Sequence, residues 1–172
     1  MRKFLLFTLF YLPLFGGDLA NLKTLKAEFQ QIVESDGKRI AYSGELYIKQ
    51  PHFILWKYIK PVEKYLYLNG KKLFLLEPEL EQVIIKRVDK SLKMLQILEN
   101  AEKVDEKRYI AKIDERDYLI ILDQVGKIKR IIYKDELDNS VSLSLFEVEE
   151  NGYIPTTKFL PEIPEDFDKI YQ

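Results

Sequence analysis

The sequence predicts a mainly β protein with a smaller helical part. We expect a strongly curved antiparallel sheet of about eleven strands, open like a half-barrel, with a lid of short helices over an apolar concave face. Two observations predict it: many short runs alternate between apolar and polar residues, and tight-turn signals separate them. Hydrophobic residues make up 47% of the chain and aromatic residues 13%, enough to build a core.

The N-terminus has the pattern of a secretory signal peptide. Arg2-Lys3 precede the apolar run from Phe4 to Phe15, and the small residues Gly16-Gly17 follow. A transmembrane anchor would need about 20 apolar residues, and this run is shorter and contains Pro13. We therefore predict export and removal of residues 1–17.

Residues 18–172 have the length of a single domain. The formal net charge of the whole chain is −1, too balanced to predict a nucleic-acid partner or strong attraction to a membrane surface. The chain has no cysteine, which excludes a disulfide framework and a thiol for lipid attachment. We expect a monomer.

The first elements follow from local patterns. Asp18 can cap a short helix over Leu19 to Thr24, and the alternation from Leu25 to Val33 then predicts a strand. A single helix continuing to Val33 fits the same residues. Asp36-Gly37 is a hairpin signal, and the return strand places one apolar face before Pro51 ends it; that face carries Ile40, Tyr42, Leu46 and Ile48.

The rest of the chain predicts strands on both sides of one clear helix. The helix extends from Asp89 to Glu102, with Asp89 or Ser91 as its cap and a wide apolar side made by Leu92, Met94, Leu95, Ile97 and Leu98. The predicted strands are Phe53–Ile59, Lys64–Leu68, Lys72–Glu77, Gln82–Val88, Lys107–Ile113, Tyr118–Leu122, Lys127–Tyr133, Ser140–Val148 and a short last one near Phe159.

A broad apolar face suits an oily ligand, which needs dry surface and few directional contacts. If Lys57 faces water, Ile54, Trp56 and Tyr58 point to the other side of their strand. A packed core would have the same sequence pattern, so either role fits each residue. The candidate acyl-chain-binding residues are Phe29, Tyr42, Leu46, Ile48, Ile54, Trp56, Tyr58, Leu66, Phe74, Leu76, Met94, Leu95, Leu98, Leu119 and Ile121.

No residue pattern points to catalysis. The chain has one histidine, His52, beside a proline in a predicted surface turn, and it has no glycine-rich phosphate loop. The acidic turns at 114–117 and 135–138 lack the spacing of a calcium loop, so we interpret them as solvated. We therefore expect no catalytic residue, no metal and no cofactor.

Several motifs resemble the periplasmic outer-membrane lipoprotein carrier family (LolA). They are Gly44–Trp56, Asn69-Gly70-Lys71 before Leu73-Phe74, Glu77-Pro78 with Glu81-Gln82, and Gly126-Lys127-Ile128. The predicted order is similar too: a signal peptide, a short helix, five strands, a helix, and hairpins that end in a tail rich in Phe and Pro. The resemblance covers nearly all of the mature chain, and its motifs are structural rather than catalytic.

The resemblance implies a periplasmic carrier, not an enzyme. Members of the family are open half-barrels with a helical lid that shuttle acylated lipoproteins. An inner-membrane ABC transporter loads them, and they deliver to an outer-membrane acceptor, or here to the membrane itself. The alternatives are a periplasmic phospholipid carrier or lipid sensor on the same scaffold, and a structural domain that binds no lipid.

The chain departs from the family pattern at Gln50. Members usually have an arginine just before the proline of the Gly44–Trp56 motif, and the resemblance gives that arginine a role in holding the lid closed. A glutamine can still donate a hydrogen bond, but it carries no charge. Gln50 is therefore our candidate for lid control.

Overall fold

The computed structural model describes residues 19–88 and 92–172, which form a twelve-stranded sheet with one short α-helix, α1 (Lys93–Glu99). Three 3₁₀ turns lie at Leu19–Asn21, Pro78–Leu80 and Thr156–Phe159. The strands are β1 (Thr24–Ser35), β2 (Lys38–Lys49), β3 (Phe53–Lys60), β4 (Lys64–Asn69), β5 (Lys72–Glu77), β6 (Gln82–Arg87), β7 (Glu102–Lys103), β8 (Arg108–Ile113), β9 (Arg116–Leu122), β10 (Ile128–Lys134), β11 (Ser140–Glu150) and β12 (Asp168–Tyr171).

The sheet is open and almost entirely antiparallel. Its strand order is β12-β6-β5-β4-β3-β2-β1-β11-β10-β9-β8-β7, so β12 and β7 are the two edges. Neighbouring strands pair antiparallel, except that β12 runs parallel to β6. The long strands β1, β2 and β11 lie side by side at the centre of the sheet. This confirms the predicted mainly β, open half-barrel.

The concave side of the sheet is covered by α1 and the first 3₁₀ turn. The helix buries Met94, Leu95, Ile97 and Leu98 in one cluster with apolar residues of both halves of the sheet. The helix is shorter than predicted, because Asn100 ends it and the next residues pair with β8 as β7. The proposed caps Asp89 and Ser91 lie outside the described residues.

The convex side of β3 and β4 is covered by the C-terminal segment. Phe159 is fully buried there, in a small cluster with Leu55 and Ile154. This explains why β3 is apolar on both faces. The predicted last strand near Phe159 is wrong: Pro155 leads into a 3₁₀ turn, and the strand comes later, as β12. All four residues of β12 are exposed, so no apolar alternation marked it.

At the N-terminal side, the predicted helix over Leu19 to Thr24 is a three-residue 3₁₀ turn. The strand interpretation of Leu25 to Val33 is correct, since β1 begins at Thr24. Residues 1–17 and the proposed cap Asp18 lie outside the described residues. Within residues 19–88 and 92–172, the one α-helix is too short to span a bilayer.

Candidate functional site

The concave face is built from apolar residues that stand side by side on neighbouring strands. One row passes from Ala27 on β1 through Leu46 and Trp56 to Leu66 on β4. A second row, formed by Leu25, Ile48, Ile54 and Leu68, lies beside it and is completely buried. Since directly paired residues project to the same face of a sheet, the two rows form a continuous apolar surface beneath the lid.

Gly44 makes room for the aromatic part of this surface. It lies opposite Phe29 on β1, beside a register shift between β2 and β3. A Cβ atom on Gly44 would lie 1.8 Å from the carbonyl oxygen of Lys57 and 3.1 Å from the Phe29 ring. Only glycine allows this approach of backbone and ring.

Four rings gather around this position. Phe29 contacts Trp56 and Tyr58 edge-on, at centroid distances of 5.7 and 5.2 Å. Trp56 and Tyr58 are stacked at 5.9 Å, and Tyr42 meets Tyr58 edge-on. The rings form a wall of low polarity that is wide enough to lie against more than one hydrocarbon chain.

Two tyrosines of the concave face, Tyr58 and Tyr133, are uncharged at physiological pH. Burial, reinforced by neighbouring tyrosines, raises the pKa of Tyr58, whose hydroxyl donates to Oε1 of Gln31 at 3.1 Å. Burial and the neighbouring Tyr118 raise the pKa of Tyr133 to about 12. These phenols therefore add hydrogen-bonding groups to the surface without adding charge.

Trp56 has an unpaired donor. Its Nε1 atom is buried, and no acceptor among the described residues lies within hydrogen-bond distance. A buried donor left unsatisfied costs about 1–3 kcal/mol. The arrangement of the described residues therefore carries a local free-energy penalty at this donor.

A hollow of about 620 Å³ opens at one end of the concave face. Gln31, Val33, Tyr42 and Tyr58 line its inner wall. The turns after β3 and β5 form its rim, with Val62 and Leu80 exposed. Its volume is in the range of sites that hold one small ligand.

Most of the predicted lining residues are together on this face. Phe29, Leu46, Ile48, Ile54, Met94, Leu95 and Leu98 are buried in the concave cluster, and Tyr42, Trp56, Tyr58 and Leu66 pack against it half-buried. The structure also adds residues of the other half of the sheet that the sequence analysis missed: Tyr109, Tyr118, Ile120, Leu122, Ile131, Leu143 and Leu145. In β8 the buried residues Tyr109, Ala111 and Ile113 alternate with Arg108, Ile110 and Lys112, and the two charged neighbours were a usable signal.

Four predicted lining residues lie on the opposite face. Phe74 pairs with Tyr67, and Leu76 pairs with Tyr65, on the face away from Trp56. In β9, Ile120 pairs with the buried Ile131. Ile121 therefore lies on the outer face opposite Arg130, and Leu119 lies there opposite the exposed Ile132. Both faces of β5 and β9 are apolar, so residue type could not decide between them.

Gln50 ties the end of β2 to the segment that follows the first 3₁₀ turn. Its Nε2 donates to the carbonyl oxygen of Leu22 at 2.7 Å, and its backbone N–H donates to the carbonyl oxygen of Lys23 at 2.9 Å. The first 3₁₀ turn in turn contacts α1. Gln50 therefore holds one part of the cover in place, through a neutral hydrogen bond.

The other end of α1 is held by an exposed ion pair. Nζ of Lys93 donates to the Glu136 carboxylate in the turn between β10 and β11. This hydrogen bond raises the pKa of Lys93 and lowers that of Glu136. An exposed pair of this kind is screened by water and contributes little to stability. The apolar side chains of α1 therefore provide most of its attachment to the sheet.

Comparison with known proteins agrees with this architecture. Residues 20–161 match the family model described as outer membrane lipoprotein carrier protein LolA. A Campylobacter jejuni protein named outer-membrane lipoprotein carrier protein is 35% identical over 98% of each chain. A Wolinella succinogenes protein of the same name is 32% identical over 88% of this chain and 89% of that one.

A solved structure supports the fold independently. An uncharacterized conserved protein from Thermus thermophilus superposes with a TM-score of 0.56, covering 89% of this chain and 93% of that one. It is 13% identical, which shows a shared fold and nothing about activity. From the match over residues 20–161 and the two named relatives, the chain belongs to the outer membrane lipoprotein carrier protein LolA family.

Proposed function

We propose that this protein binds the acyl chains of lipoproteins on its concave face and carries them through the periplasm to the outer membrane. The observation that supports this most directly is a wide apolar sheet face that is covered by one seven-residue helix and a short 3₁₀ turn. An acyl chain in water costs about 0.8 kcal/mol per CH₂ group, so a carrier must offer a dry surface of this kind.

During loading, the acyl chains of the cargo take the place of the apolar side chains of α1 on the sheet. Moving α1 aside exposes Met94, Leu95, Ile97 and Leu98, each of which gains about 1.5–3 kcal/mol from burial. Acyl chains entering the same space restore the apolar contacts of the sheet. Only the difference between the two sets of contacts sets the equilibrium, so binding is reversible and needs no covalent step.

The entrance is the hollow beside Tyr42 and Tyr58. It is continuous with the aromatic wall, and its rim carries the exposed Val62 and Leu80. As α1 moves, the unpaired Nε1 of Trp56 becomes available to an ester or amide carbonyl of the cargo, which would satisfy the donor.

The partners follow from the family. We propose an inner-membrane ABC transporter as the donor of cargo, and an outer-membrane acceptor or the membrane itself as its destination. Delivery proceeds when the acceptor holds the acyl chains more tightly than the concave face does. Residues 1–17 would serve as a cleaved signal peptide.

Trp56 fluorescence tests the proposal, since Trp56 is the one tryptophan in the chain. A triacylated peptide should shift its emission, and the same peptide without acyl chains should not. Leu66→Gln, on the concave face, should weaken binding several-fold, whereas Leu119→Gln, a half-buried leucine on the outer face, should not.

Three results would count against a lipoprotein carrier. Unchanged emission at saturating acyl peptide, or equal weakening by both variants, would place the ligand elsewhere. A two-chain phospholipid that co-purifies in equimolar amount from the periplasm would favour a phospholipid carrier instead. Depletion of the protein should also leave lipoproteins in the inner membrane.

A further inference from the structure

The convex face, opposite the face that α1 covers, carries a second groove. Leu55, Tyr67, Phe74, Ile85 and Tyr171 stand side by side on five adjacent strands, from β3 to β12. The C-terminal segment covers the part formed by Leu55 and Tyr67. The rest of this row contributes Phe74, Ile85 and Tyr171 to a groove of about 780 Å³, which Leu160 also lines.

The polar residues of this groove are cationic. Lys71, Lys72, Lys86 and Arg87 line it, together with Asn69 and Gln172, and no aspartate or glutamate of residues 19–88 and 92–172 does. Lys72 lies directly opposite Arg87 in the pairing of β5 with β6, an arrangement that like charges disfavour. The whole chain has a net charge of −1, so this is a local concentration of positive charge.

The three lysines form no ion pair in the part of the chain that the structure describes. Among residues 19–88 and 92–172, no carboxylate lies within ion-pair distance of Lys71, Lys72 or Lys86. Next to them, the side chains of Tyr171 and Leu160 are 73% and 52% exposed. Cations and exposed apolar groups thus occur together on one surface.

We propose that this basic groove docks the protein onto the surface of a bilayer that contains anionic phospholipids. The three lysines meet lipid phosphates, and Tyr171 and Leu160 enter the interfacial layer, where tyrosine and aliphatic side chains are favoured. A bilayer presents phosphates at no fixed spacing, and a protein partner presents carboxylates at fixed positions. Lysines, which carry their charge on flexible stems, are better suited to the bilayer.

This surface is separate from the proposed cargo site. The groove lies on the convex face and α1 on the concave face, so docking leaves the lid free to move. The inference does not depend on the proposed function, since it concerns the protein without cargo.

Vesicle flotation of the mature protein tests the inference. Vesicles of phosphatidylcholine alone should bind it weakly, and replacing part of that lipid with phosphatidylglycerol should increase binding. Each lysine near an anionic surface contributes about fivefold in affinity, so Lys71→Gln/Lys72→Gln should weaken binding about thirtyfold. Binding should also fall steeply with added salt.

The matched control is Lys38→Gln/Lys60→Gln, which removes the same charge from exposed lysines outside this groove. This variant should bind nearly as well as the parent, and Tyr171→Ser should bind more weakly. Circular dichroism and thermal melting establish that each variant is folded.

Three results would overturn the inference. The first is equal binding to anionic and neutral vesicles, or equal weakening by both double variants. The second is release by inorganic phosphate beyond the effect of ionic strength, which would indicate a site for free phosphate. The third is no vesicle binding by the parent protein, which would indicate that the groove binds an acidic protein segment instead.

Discussion

The attachment of α1 to the sheet can be weakened at Leu95. This side chain is 0% exposed and lies at the centre of the buried side of the helix. Replacing a buried leucine by alanine costs about 2–5 kcal/mol. If the helix can leave the sheet while the sheet stays folded, this cost falls on helix docking, and even about 2 kcal/mol raises the undocked population about thirtyfold.

Amide hydrogen exchange measures that population. In Leu95→Ala, the amides of Gln96 and Asn100, bonded to carbonyl oxygens of Leu92 and Gln96, should exchange about thirtyfold faster or more. The central strands β1, β2 and β11 should remain protected. An apolar fluorescent probe should enter the concave face faster in the variant.

The control is Leu55→Ala, which removes a leucine of similar burial, 2% exposed, from the convex cluster. It should lower the free energy of global unfolding by a similar amount and leave local exchange in α1 unchanged. If Leu95→Ala accelerates exchange equally in α1 and in the central strands, the helix is an inseparable part of the core. That result would refute its role as a lid.

Three further variants test single contacts. Gln50→Arg should replace the neutral hydrogen bond to the carbonyl oxygen of Leu22 by a charge-assisted one, which favours the closed cover. Exchange of an acyl probe, measured by stopped flow, should slow several-fold. Identical rates in the two proteins would show that this position does not control the lid. Burial raises the pKa of Glu150, so its ionised form opposes folding. Below the pKa of the unfolded state the protonated carboxyl favours folding relative to the ionised one. This contribution to stability is lost as pH rises through the pKa of the folded state. Glu150→Gln should therefore raise denaturation midpoints at neutral pH but not below about pH 4, and a pH-independent effect would contradict this. Gly44→Ala should lower the free energy of unfolding by about 1–3 kcal/mol or more. Gly152→Ala, where a Cβ atom has open space, should change it little. Equal effects would mean that the close approach of the Lys57 carbonyl oxygen does not make Gly44 necessary.

The sequence was a good guide where one face of a strand is apolar and the other polar. β2 alternates from Ile40 to Lys49, and its inward residues Leu46 and Ile48 were assigned correctly. Turn signals such as Asp36-Gly37 and Asn69-Gly70 also located the hairpins. The order of elements predicted from these patterns also agreed with the resemblance to a known family.

The sequence was a poor guide where tertiary contacts decide which face of a strand is buried. Phe74 and Leu76 lie on the convex face because β5 pairs with β4 in a register that no local pattern contains. The C-terminal segment covers part of that face, so apolar residues there carry no sign of facing outward. Net charge also gave no sign of the basic groove, which combines residues from two hairpin strands with the distant β12.

The short edge strands have a consequence for the protein at high concentration. An open sheet exposes unpaired backbone groups along both edges, and these can recruit another chain into a growing aggregate. Here β7 has two residues, Glu102 and Lys103, and β12 has four, beginning with Asp168 and Lys169. Charged side chains and short length make both edges poor templates for strand addition. A half-barrel that must open for its cargo can therefore do so without polymerising through its edges.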